Sequence, residues 1–234
     1  MEKIAFLSLV SRILASFCGL CLIALGVALM TRTNLGCTPI SAIPFAVSLL
    51  ASQISYGAWV AIFNFLLLIG ETILMTAKLS WKSITIQVAL VFSFGFFVDI
   101  FMALSDGVIS DAYWNRVFWV AAGSLSLASG VVMTVGANLA ILPADGLALA
   151  ICDRFKKDFG RVRILGDLVM ALTGLGICLL AFREPLATRE GTILAAILTG
   201  ALVKFLIALK HKLGALLSRK KSGRRNAAND GRAD

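Results

Sequence analysis

Residues 12–39, RILASFCGLCLIALGVALMTRTNLGCTP, decide the fold, because residues 116–143, RVFWVAAGSLSLASGVVMTVGANLAILP, repeat their pattern at an offset of 104. Arg12 meets Arg116, Gly19 meets Gly123, Ala24 meets Ala128 and Gly26-Val27 meets Gly130-Val131. Asn34-Leu35 then meets Asn138-Leu139, Pro39 meets Pro143 and Ala46 meets Ala150. Nine of the 35 positions from 12 to 46 are identical, where random pairing in so apolar a composition gives roughly three. Apolar bias does not supply a matching Arg, Asn and Pro. After small gaps the correspondence resumes: Tyr56-Gly57 with Phe159-Gly160, Asn64 with Asp167, Gly95 with Gly200, and Asp99 with Lys204.

Around these repeats the 234 residues are 59% apolar and 15% charged, with a mean hydropathy of +0.91. Soluble domains have about 45–50% and about 25%. Crossing about 30 Å of hydrocarbon takes about 20 helical residues, since no backbone polar group stays unpaired in lipid. Six stretches qualify, approximately 13–31, 58–77, 84–104, 117–135, 164–182 and 192–209. The first is too long for a signal peptide and no A-x-A site follows it. Three spans fall in each copy, and an odd number sends the second copy into the membrane from the opposite side. The expected fold is therefore an all-α integral membrane protein of six transmembrane helices. They form two inverted three-helix repeats, 1–107 and 108–210, each with a short re-entrant or interfacial half-helix. A basic cytoplasmic tail, 211–234, is expected to be disordered.

The net charge of +9 lies in the joints and the tail rather than on a stripe of a folded domain, which excludes nucleic acid as a partner. Short cytoplasmic loops collect Lys and Arg. Five basic residues, Arg154, Lys156, Lys157, Arg161 and Arg163, crowd the joint between spans four and five, whereas its counterpart in the first copy has Arg32 alone. Both termini are then cytoplasmic, in a bacterial cytoplasmic (inner) membrane, and the tail faces anionic membrane lipid. The five cysteines show no ligand or redox spacing beyond Cys18-x-x-Cys21 on a span and read as core residues. No metal or cofactor is implied. The single His211 and the lack of H-E-x-x-H, G-x-S-x-G or a P-loop argue against an enzyme.

After the first span of each copy comes a stretch too short to cross: 34–51, and its partner from Asn138 to about Cys152. Pro tolerates the first helical turn, so short helices are expected from Pro39 and Pro143. Two helix N-termini would then approach the interior from opposite faces, each presenting unpaired N–H groups suited to a polar or anionic solute. The alternative is a pair of interfacial connectors with Asn34 and Asn138 as turn residues. The expected substrate-binding residues are Asn34, Pro39, Ser41, Asn138, Pro143 and Asp145, with Asp99 and Asp167 as charges inside spans that face an interior path. Lys204 and Glu71, near span ends, read as snorkelling to headgroups.

The segments Gly26 to Gly36, Pro39 and Ser55-Tyr56-Gly57 resemble the YczE/YyaS/YitT group of bacterial membrane proteins, over about residues 10 to 210. The polar Asn34 and Cys37-Thr38 depart from that group's pattern. The resemblance implies architecture and no substrate. The expected function is a small transporter or permease for a small polar or anionic solute, its path lying between the halves. The alternative is an accessory or scaffolding membrane protein, and a homodimer fits either.

Overall fold

The computed structural model describes residues 2–75, 80–110, 112–137 and 142–230, and its regular elements are all helical. They are α1 (Glu2–Arg32), a 3-10 turn (Pro39–Ser41) running into α2 (Ala42–Leu50), α3 (Tyr56–Leu74), α4 (Trp81–Leu104), α5 (Tyr113–Ala137), α6 (Pro143–Phe155), α7 (Phe159–Phe182) and α8 (Glu190–Asp230). Among the described residues six segments are long and apolar enough to cross a membrane: Val10–Arg32, Tyr56–Leu74, Trp81–Leu104, Tyr113–Ala137, Phe159–Phe182 and Glu190–Lys210. The protein is a multi-pass membrane protein. The two remaining helices, α2 and α6, are too short to cross.

Local chemistry sets the helix ends. Pro39 and Pro143 open the two short elements, and the preceding Thr38 and Leu142 are extended, as a residue before proline must be. Ser55 caps α3 by accepting from the Ala58 N–H at 3.2 Å, and Asp158 caps α7 by accepting from the Arg161 N–H at 3.0 Å. Asn34 ends α1 with φ 54°, the left-handed conformation Asn tolerates at a helix C-terminus. α8 continues to Asp230, where the sequence predicts disorder from His211. Lys, Arg, Ala and Leu are good helix formers, and adding to a nucleated helix is far easier than starting one.

α1 and α5 form the largest interface and run antiparallel. Their backbones touch at two glycine pairs. A Cβ on Gly19 would stand 2.9 Å from the Gly130 carbonyl oxygen, and one on Gly26 2.6 Å from that of Gly123. Small residues allow such approach in lipid, where packing rather than the hydrophobic effect holds helices together. Between the two crossings Ser126 donates to the Leu22 carbonyl at 2.8 Å. The other contacts come in pairs: α1 on α4 and α5 on α8, α2 on α7 and α3 on α6. One pair breaks the pattern. α3 packs closely on α4, whereas among the described residues α7 and α8 scarcely touch.

Three joints meet at one end of the bundle. Gly191 N–H donates to the Leu35 carbonyl at 2.8 Å, Cys37 N–H donates to Ala187 at 3.1 Å, and Arg32 pairs with Asp106 at 3.1 Å. Gly36, at φ 106°, has no room for a side chain, since a Cβ would press on Thr192 and stand 2.8 Å from the Arg189 nitrogen.

Candidate functional site

The two short elements aim at one place. A cavity of about 120 Å³ is lined by Ile40 and Ser41 at the start of α2 and by Leu142, Ala144 and Asp145 at the start of α6. Its walls are Ile23 and Val27 of α1, Val60 and Asn64 of α3, Phe94 of α4 and Val131 and Thr134 of α5. The lining is mostly apolar, with a few polar groups at set positions, the usual make-up of a small-molecule site. Thr38 donates to the buried Ser41 hydroxyl at 2.7 Å, and Asn64, also buried, donates to the Val60 carbonyl at 2.9 Å.

A second cavity of about 230 Å³ lies beside the first and is lined by Thr38, Pro39, Asp167, Ala195, Thr199 and Gly200, among others. Ile40, Leu127 and Arg163 line both. Arg163 is the charged group at this boundary. Its guanidinium pairs with Asp145 on α6 and, at 3.3 Å, with Asp167 one turn along its own helix. Two carboxylates against one guanidinium leave the cluster one negative charge in excess. Asp145 also occupies the first turn of α6, where it offsets the positive helix end.

A family model, described as a family of unknown function (DUF6198), matches residues 10–208. The chain belongs to that family. No curated protein and no solved structure gives a significant match. The matched region takes in the first five spans, all but the last two residues of the sixth, and both cavities, and it stops before the tail.

Of the residues singled out in the sequence, Ser41 and Asp145 share the first cavity, and Pro39 and Asp167 line the second. Pro143 is buried at the start of α6, next to the lining. Asn138 lies outside the described residues. Asn34 lines neither cavity: it is exposed, and its carbonyl accepts from Arg189 at 3.1 Å, so it serves as a turn residue. Asp99 lines neither cavity either. It accepts from the Ser55 hydroxyl at 2.5 Å and the Gly57 N–H at 2.7 Å, holding the N-terminus of α3. That contact accounts for the Ser55-Tyr56-Gly57 motif. Gly57 rests directly on the Gly95 carbonyl and the Asp99 carboxylate, and Tyr56 is buried with its hydroxyl 3.3 Å from that of Thr31.

Two features escaped the sequence reading. Arg163 reads as one more cytoplasmic joint charge, although its four-residue spacing from Asp167 marks a same-face pair on a helix. Glu71 reads as snorkelling, and this is corrected by its burial: only 3% of it is exposed, against Gln87 on α4 and the backbone of Gly146 on α6. Among the described residues no group of three or more His, Cys, Asp or Glu could hold a metal ion.

Proposed function

We propose that the protein is a small permease for a small polar solute, its path running through the two cavities that meet at Arg163, between two inverted halves. The observation that carries this reading is the convergence of both half-helix starts on one cavity whose boundary with the next is an ion-paired arginine. The excess negative charge of that cluster favours a solute bearing a donor or a positive group over an anion, because a like charge in a poorly solvated site is costly.

The inverted-repeat reading is supported by reciprocity. At an offset of 104, Gly19 corresponds to Gly123 and Gly26 to Gly130, and the contacts cross over, Gly19 to Gly130 and Gly26 to Gly123. Such an exchange is the signature of a two-fold relation. Leu22 and Ser126, joined by a hydrogen bond, are themselves 104 apart, as two residues beside such an axis would be. The halves differ in state. Gly57 and Gly95 are in contact, whereas their counterparts are open: a Cβ on Gly200 would meet nothing within 4 Å, and one on Gly160 only Asp158. One closed and one open half is what alternating access requires of an inverted pair. Cytoplasmic termini in a bacterial inner membrane, and kinship with the YczE/YyaS/YitT group, belong to the same proposal and rest on the joint charges and the quoted motifs.

A solute screen by thermal unfolding tests the reading, since a ligand that binds only the folded protein raises its midpoint. A solute should stabilise the wild type and fail to stabilise a folded Arg163→Gln/Asp145→Asn double variant. Equal stabilisation of both proteins would move the site elsewhere.

A further inference from the structure

Beneath the first cavity, where α3, α4 and α6 meet, lies a polar pair that the path does not use. Glu71 and Gln87 are 3% and 2% exposed, and the Gln87 amide nitrogen lies 3.3 Å from Glu71 Oε1. The second oxygen of the Glu71 carboxyl group, Oε2, and the amide oxygen of Gln87, Oε1, are both buried with no hydrogen-bond partner. Two orphaned acceptors in one buried pair call for a donor or a cation, because a buried polar atom without a partner is costly and an uncompensated carboxylate costs more.

No compensating cation is at hand among the described residues. α2 brings no charged residue to α3, and α3 itself has no other. α4 brings Lys82, more than a turn before Gln87. α6 brings Asp145, which Arg163 holds, and Asp153 and Arg154, two turns further along. On the α6 side there is no room for a metal ion, since the Gly146 backbone rests directly on the Glu71 carboxyl group, as the Cβ an alanine would add there shows. A proton needs no space. It turns Glu71 Oε2 from acceptor to donor and removes the charge, leaving a carboxylic acid facing a carboxamide, two groups that can exchange a pair of hydrogen bonds.

We infer that Glu71 is a proton-binding site, loaded when α6 lies against α3 as it does here. Resting on the permease reading, this makes the proton a candidate coupling ion. α3 carries Asn64 and α6 carries Asp145 into the first cavity, so loading and unloading at Glu71 acts on two of its walls.

Infrared spectroscopy of the purified full-length protein in detergent, without any solute, tests the site apart from the permease reading. At neutral pH the wild type should show a protonated-carboxyl C=O band that is lost in Glu71→Gln and kept in Asp99→Asn and Asp167→Asn. Labelling the glutamates of the unsubstituted protein with carbon-13 should shift the same band, which keeps the test independent of how Glu71→Gln folds. A neutral-pH spectrum with no protonated-carboxyl band, or a band that neither the label nor the substitution moves, would overturn the assignment.

Discussion

Arg163 compensates two carboxylates at once, so its loss should be felt mainly through what it leaves behind. Arg163→Gln strands Asp145 and Asp167 near each other; with the side chains about a third exposed, the cost is roughly 1–3 kcal/mol rather than the larger value of a fully buried pair. Adding Asp145→Asn should recover part of that loss, and a double-mutant cycle read by thermal unfolding in detergent measures the coupling. Additive losses would mean that the pair is not coupled. Asn34 makes the opposite case: at φ 54°, Asn34→Gly should leave the midpoint unchanged or raised, and Asn34→Val should lower the midpoint through a loss of about 1 kcal/mol of stability, because a β-branched residue is strained there. Cys37 is fully buried, its thiol donating to the Ala187 carbonyl at 3.1 Å. Burial, and secondarily the neighbouring Cys178, pushes that thiol up from its ordinary value. Its thiolate, the reactive form, is therefore scarce even at alkaline pH. Alkylation near pH 8.5, where a free cysteine is about half ionised, should spare Cys37 in the native protein and modify it on unfolding.

At the scale of helices, the same glycine pair has opposite consequences in the two halves. Gly57→Ala drives a methyl group into the Gly95 carbonyl and the Asp99 carboxylate, an overpacking that costs about 1–3 kcal/mol. Gly200→Ala enters open space and should be neutral or gain up to about 1 kcal/mol by restricting the unfolded chain. Thermal midpoints of the two variants decide this, and equal losses would mean that α7 rests on α8 as α3 does on α4. The helices themselves were legible because hydropathy reports solvent: the expected 84–104 and 164–182 end where α4 and α7 end. Their starts fall a few residues earlier than expected, since caps such as Ser80 and Asp158 precede the apolar run. Pro39 and Pro143 were legible as helix starts because proline acts on its own backbone. Arg163 and Glu71 were not, because their roles depend on α6 lying against α7 and α3, and no local pattern reports which helix arrives. Asp99 shows the same limit: a charge inside a span announces that something pairs with it, and only the packing shows that the partner is the end of α3.

Taken whole, the proposed arrangement is two halves joined at the α1–α5 crossing, with Ser41 and Asp145, 104 positions apart in the sequence, lining a common cavity. In the proposed orientation Lys157 is cytoplasmic and Thr188 external, so reporter fusions at the two should read on opposite sides of the membrane. Fusions that read on the same side would remove the inverted arrangement. The most direct test of the permease reading uses a variant with all five cysteines replaced and a single cysteine placed at Ser41 or at Thr199, in the first and the second cavity respectively. A membrane-impermeant maleimide is applied to the outer face of sealed vesicles of either orientation. If the path between the halves opens alternately, each cysteine is labelled from both sides, and blocking it from one side protects it from the other. Labelling of each cysteine from one side only, or from neither, would contradict the account.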